Sequence, residues 1–134
     1  HNQIRVLTPH AGEAAVLIDA TEISSTIVHP HVVSALAVEY TSFIYWKGAG
    51  GCLALPDGRL IFTASREYSL ATAGTGDVAA GVLAAGLVHE GEAADNLEKA
   101  LMTYITAAQR LSRSNERVQF ITPSELIAEL GENQ

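Results

Sequence analysis

Residues 73–81 read Ala73-Gly74-Thr75-Gly76-Asp77-Val78-Ala79-Ala80-Gly81. Two glycines flank a threonine, an aspartate follows at once, and an apolar run begins behind it. Without a Cβ, Gly74 and Gly76 let backbone N–H groups come close to an anion. If the run from Val78 to Val88 is a helix, its free N–H donors and the positive end of its dipole converge on one point. A phosphate suits that point. Asp77 stands beside it, where a carboxylate can take a proton or hold a metal-bound water. The rival reading is a tight turn in which Asp77 satisfies N–H groups of the first helical turn. Spacing alone does not separate the two, because short glycine motifs are common.

Two further stretches carry chemistry. Lys47-Gly48-Ala49-Gly50-Gly51 follows the aromatic, β-branched run Phe43-Ile44-Tyr45-Trp46. A lysine and a glycine-rich loop after a strand can contact a phosphate or nucleotide, and the same residues can form a plain hairpin turn with a solvated lysine. His10 sits in the loop behind the short strand Ile4–Leu7, which Thr8-Pro9 cuts off. In open α/β sheets that edge is where ligands bind, although a histidine there can equally cap the helix that follows.

The elements that must hold these residues are legible from period and punctuation. Ala14, Ala15, Leu17 and Ile18 mark a helix, and Val32, Val33, Leu36, Ala37 and Tyr40 a second one within Pro30–Tyr40. Cys52–Leu55 and Leu60–Thr63 flank Pro56-Asp57-Gly58-Arg59, a β-hairpin signal. The all-apolar run 78–88 reads as a helix buried on every side. Glu92–Arg113 is a long amphipathic helix whose Tyr104 reads as core. After the short apolar segment Val118–Ile121, Thr122-Pro123-Ser124-Glu125 has the pattern of a capping box opening a last helix. Strand-helix alternation at both ends with a hairpin between predicts a three-layer α/β domain.

Composition narrows the function classes. At 134 residues the chain fits a single domain, residues 1–134. Apolar residues make up 48% and charged ones 17%, which indicates a globular chain. A net charge of −7 and the lack of a basic block argue against nucleic acid as partner. The single cysteine, Cys52, excludes an internal disulfide framework and suits a reducing, cytoplasmic setting. No apolar run is long enough to span a membrane, and the five histidines lack metal-ligand spacing.

Three stretches in this order, Leu7-Thr8-Pro9-His10-Ala11-Gly12-Glu13, Trp46-Lys47-Gly48-Ala49 and Ala71–Gly81, resemble the C-terminal part of the ADP- or ATP-dependent NAD(P)H-hydrate dehydratases, of the ribokinase-like carbohydrate kinase superfamily. The Gly-Thr-Gly-Asp turn is shared by many ribokinase-like kinases, whereas the Thr-Pro-His-x-Gly-Glu stretch points to the dehydratases. Ala11 stands where the family usually has proline, Ala79 where it has a large apolar residue, and Arg66–Leu70 lacks its Gly-Asn-Pro-Gly pattern. The resemblance implies a ribokinase-like three-layer α/β/α fold, here its C-terminal portion, since relatives carry further chain before the Thr8-Pro9-His10 stretch. It implies a lyase that restores hydrated NADH or NADPH (NADHX, NADPHX) with ADP or ATP and Mg2+. His10 and Asp77 would then meet the substrate, with Asp77 catalytic. Lys47, Gly48, Ala49, Gly50 and Gly51 would line the nucleotide, and Gly74, Thr75 and Gly76 its phosphates. A partial fold and an all-apolar helix imply a chain that either forms a homo-oligomer or cannot catalyse alone. Two alternatives stand beside this: a vitamin or sugar kinase with Asp77 as base, and a non-catalytic nucleotide-binding or oligomerisation module.

Overall fold

Short apolar strands and amphipathic helices alternate through the first half of the chain, and helices alone make up the described part of the second. A computed structural model describes residues 3–25, 27–47, 51–63, 70, 72–114 and 120–132. They fall into two compact units, His1–Ala64 and Ser65–Gln134.

The first unit runs β1 (Val6–Leu7), α1 (Ala11–Asp19), α2 (Pro30–Glu39), β2 (Phe43–Trp46), β3 (Cys52–Ala54) and β4 (Leu60–Phe62). The sheet order is β1-β2-β3-β4. β1 and β2 are parallel, with Val6 opposite Phe43, so the chain needs the helical crossover α1–α2 to return to the same edge. β2, β3 and β4 form an antiparallel meander. The expected hairpin is there: Leu55 N–H donates to Arg59 O, and the Asp57 side chain accepts from Arg59 N. Helix α2 packs its Val32, Val33, Leu36 and Ala37 face on Ile44 and Ala54, with Ile18 of α1 beside them. Buried apolar surface is worth about 25 cal/mol per Å², so this cluster is what fixes the ends of β1 and β2 in space.

The second unit is helical where it is described: α3 (Thr75–Gly86), α4 (Ala93–Ser114) and α5 (Pro123–Glu132). Among the described residues the predicted strand-helix alternation is found in the first unit; of the segment 118–121, residues 118 and 119 lie outside the described residues. Helix α4 buries Leu97, Leu101, Tyr104, Ile105, Ala107 and Ala108, and it packs against both α3 and α5. At Gly86 a Cβ would stand 2.9 Å from Ala100 Cβ and 3.1 Å from Asn96 O, so α3 and α4 cross in close contact. The capping box of α5 is as expected: Glu125 accepts from Thr122 N at 2.8 Å, and Thr122 Oγ1 accepts from Glu125 N at 3.3 Å.

One expectation for α3 needs correction. The helix is not buried all round. It buries Thr75, Ala79, Leu83 and Gly86, a stripe of three- and four-residue steps, while Gly81, Ala84 and Ala85 are exposed and Val88 is 81% exposed. Alanine and glycine on the outer face cost little when wet, so an all-apolar run does not by itself require cover everywhere.

Candidate functional site

His10 lies where β1 has ended and α1 begins, and its backbone is extended (φ −78°, ψ 175°), as an N-cap residue must be. Its Nδ1 accepts from Gly12 N at 3.0 Å and Glu13 N at 3.2 Å. Glu13 returns the bond, accepting from His10 N at 2.8 Å. This is a capping box with histidine in the serine position. A nitrogen that accepts two N–H groups carries no proton, so the network assigns the imidazole hydrogen to Nε2, 3.6 Å from Glu13 Oε1. Glu13 is held below the usual carboxylate range chiefly by the His10 N–H it accepts, with Lys47 adding positive charge nearby. Lys47 N in turn donates to Pro9 O at 3.1 Å. His10, Glu13 and Lys47 thus gather at the carboxyl ends of the parallel strands β1 and β2, the edge at which such sheets bind ligands. The His-x-x-Glu spacing is the sequence signal for Glu13's part in this cap.

The stretch after Lys47 joins two antiparallel strands, with Trp46 opposite Cys52, so it is a hairpin connection. Gly48, Ala49 and Gly50 lie outside the described residues. Gly51 has φ +41°, and a Cβ there would come within 2.9 Å of Thr63 Oγ1 and 3.3 Å of Tyr45 Oη. Both the N–H and the hydroxyl of Thr63 donate to Gly51 O at 3.2 Å. The end of this loop is therefore pinned to the strand ladder.

Helix α3 starts differently. Its N-cap, Gly74, is left-handed (φ +90°, ψ −17°), and among the described residues no side chain caps the helix. Only glycine takes that conformation without strain, and a Cβ would also strike Pro123 Cγ at 2.8 Å. Thr75 turns its hydroxyl inward, where the single proton is shared between Leu70 O at 2.6 Å and Thr72 O at 2.7 Å. Thr75 N donates to Thr72 O and Asp77 N to Gly74 O, at 3.2 and 3.1 Å. Gly76 is the second residue of the helix, whose N–H has no partner within the helix. Asp77 is exposed in the first turn. Among the described residues no hydrogen bond or ion pair involves its carboxylate, so it does not satisfy the N–H groups of that turn. Tyr104 Oη, from α4, donates to Thr75 O at 3.1 Å. Two buried donors have no partner among the described residues, Trp46 Nε1 and Thr72 Oγ1; each precedes one of the candidate loops.

Comparison with known proteins gives these features a family. The chain is 34% identical over 119 residues to an ADP-dependent (S)-NAD(P)H-hydrate dehydratase of Xanthomonas campestris, covering 87% of this chain and 40% of that protein. It is 36% identical over 86 residues to a bifunctional NAD(P)H-hydrate repair enzyme of Moorella thermoacetica, covering 64% of this chain and 16% of that one. Its fold matches YxkO of Bacillus subtilis with TM-score 0.79 at 20% identity, over 98% of this chain and 49% of the other. The same TM-score is reached, at 22% identity over 95% and 47% of the two chains, with a Bacillus subtilis ADP/ATP-dependent NAD(P)H-hydrate dehydratase co-crystallised with ATP and Mg2+. This chain spans under half of these relatives and shares their ribokinase-like α/β fold. Residues 1–131 match the sequence pattern of NAD(P)H-hydrate dehydratase, and the chain belongs to that family.

Proposed function

We propose that this chain carries the nucleotide and catalytic elements of an NAD(P)H-hydrate dehydratase, which uses ADP or ATP to return hydrated NADH or NADPH to the reduced dinucleotide. The observation that carries this reading is the start of α3: a helix N-terminus entered through a left-handed glycine, with an exposed aspartate in its first turn, neither of them with a side-chain partner among the described residues. Such an end is an anion seat with a carboxylate beside it.

In this reading Gly74, Thr75 and Gly76 bring backbone and dipole to the phosphates, where negative charge grows during transfer. Thr75 acts through its backbone, since its hydroxyl is turned into the turn. Asp77 takes the proton from the substrate hydroxyl as that oxygen attacks the nucleotide's terminal phosphorus, whose bond to the bridging oxygen breaks; phosphate then leaves the ring carbon as the neighbouring carbon gives up a proton to solvent, which restores the double bond of the reduced ring. Lys47, with Gly48, Ala49, Gly50 and Gly51, meets the adenine nucleotide. His10 meets the hydrated dinucleotide through Nε2–H, because Nδ1 is occupied by the helix cap. Magnesium fits as an ion carried in on the phosphates. The described residues hold no cluster of three His, Cys, Asp or Glu side chains, and Mg2+ is commonly bound by one or two carboxylates plus substrate phosphates. The ion would offset phosphate charge.

A kinase acting on a small hydroxyl compound would use the same turn and the same Asp77; the family match over residues 1–131 favours dehydration. The test is turnover of hydrated NADH and NADPH with ADP or ATP, by this chain and by a longer chain that contains it. Consumption of nucleotide with phosphorylated acceptor and no NAD(P)H would favour the kinase. Nucleotide binding with no turnover by either chain would leave a binding module. Self-association belongs to this reading as well, and the mass of the chain in solution would check it.

A further inference from the structure

The hydroxyl of Tyr104 and the backbone N–H of Gly76 act on two ends of one peptide unit. The carbonyl that Tyr104 binds belongs to Thr75, and the nitrogen bonded to that carbonyl carbon is that of Gly76. A trans peptide is planar, with its C=O and N–H pointing opposite ways, so a donor that holds the oxygen also aims the hydrogen. Glycine at 76 makes this control necessary. With no Cβ, the peptide between Thr75 and Gly76 can rotate into conformations other residues avoid. Gly74, on the other side, sits at φ +90°. The Tyr104 bond adds a tertiary hold to a peptide that has Gly76 on one side and, one residue before Thr75, a left-handed glycine.

We propose that Tyr104 is a positioning residue for the anion seat, holding the Thr75–Gly76 peptide so that the Gly76 N–H stays aimed out of the helix end. The inference rests on reading that end as the seat of the nucleotide phosphates. Tyr104 suits the task. It is only 3% exposed and stands within the 22-residue helix α4, a stiff support. Burial pushes its phenol up to about 12, so it remains an O–H donor at any ordinary pH. The Thr75 carbonyl has two lone pairs, which lets it accept from Tyr104 while it also serves the helix. A bond to the oxygen polarises the amide and strengthens the N–H as a donor. Pro123 closes the other side of the turn by packing on Gly74.

Tyr104→Phe removes the hydroxyl and keeps the ring. The Gly76 N–H order parameter should fall from the rigid range near about 0.85 to below about 0.6, with Leu83, further along α3, unchanged. The dissociation constant for ATP or ADP should rise about two- to tenfold, the value of one hydrogen bond. A loss of stability alone would disorder Leu83 as much as Gly76, and that result overturns the proposal. So does an ordered Gly76 in the variant, or a disordered Gly76 with nucleotide affinity unchanged. If the unmutated chain binds neither nucleotide while Gly76 still loses order in the variant, the nucleotide reading falls and the positioning role stands. In the unmutated protein the Tyr104 hydroxyl proton, shielded and bonded, should give its own slowly exchanging NMR resonance. Its absence would overturn the geometry even if Tyr104→Phe failed to fold.

Discussion

Helices α1 and α3 both begin in a loop rich in candidate residues, and they treat their free N–H groups in opposite ways. At α1 the chain supplies its own anion: Glu13 and the His10 imidazole answer the backbone donors, and the helix end is closed. At α3 the N-cap is a glycine with nothing to offer, and the acid in the first turn faces outward. A closed end can present only the side chains that close it, whereas an open end presents backbone and dipole to whatever arrives. The two helix starts therefore differ in what they expose: side chains at α1, backbone N–H groups at α3.

The largest expected effect sharpens this contrast at the open end. In a full-length enzyme that contains this chain, Asp77→Asn should leave the fold and nucleotide affinity intact and lower turnover about 10²- to 10⁴-fold. A variant with near-full turnover would reduce Asp77 to a residue of the helix's first turn, and the contrast would lose its chemical meaning. Next comes Gly74→Ala, which forces a side chain into a left-handed backbone and against Pro123. Strain of this kind is on the order of 1–3 kcal/mol, so both the melting temperature and nucleotide affinity should drop.

At the closed end the effects are smaller. His10→Ala should cost about 1 kcal/mol, as loss of a cap does, while His10→Ser should restore the cap. If both variants lose substrate affinity and only the alanine loses stability, the imidazole serves the ligand as well as the helix. If serine restores both, His10 is a cap alone. The smallest effect is on acid stability. Glu13 and Glu125 are both held below the ordinary 4.5, each chiefly by the backbone N–H it accepts across its capping box. Carboxylates with lowered folded values stabilise the fold above the unfolded value and lose that contribution as pH falls through the folded one. Urea midpoints should therefore decline below about pH 4.5. Glu13→Gln should be less stable at neutral pH and show a shallower decline.

Much of this was readable in the chain. Period and punctuation placed β2 at Phe43–Trp46 and the hairpin after it, because β-branched and turn residues leave few alternatives. The capping box at Thr122 was legible for the same local reason. Two things were not. The identity of a histidine's partner depends on which atoms lie within 3 Å, so His10 as ligand contact and His10 as cap read alike in sequence. The wet face of α3 was hidden because apolar type does not say which side of a helix a neighbour covers. Tyr104 was legible as core, yet its bond to Thr75, 29 residues earlier, is tertiary and leaves no local trace.

Trp46 and Cys52 face each other across β2 and β3, and the chain has one of each. Both belong to the first unit, so indole fluorescence and thiol labelling watch that unit alone, without any introduced probe. Burial pushes the Cys52 thiol up to about 11, so at neutral pH a thiol reagent reacts when the strand pair opens. Labelling rates set against the circular dichroism of the helices would show whether the two units open as one cooperative body or two. Trp46 also sits next to Lys47, which makes its emission a native optical signal for whatever binds that loop.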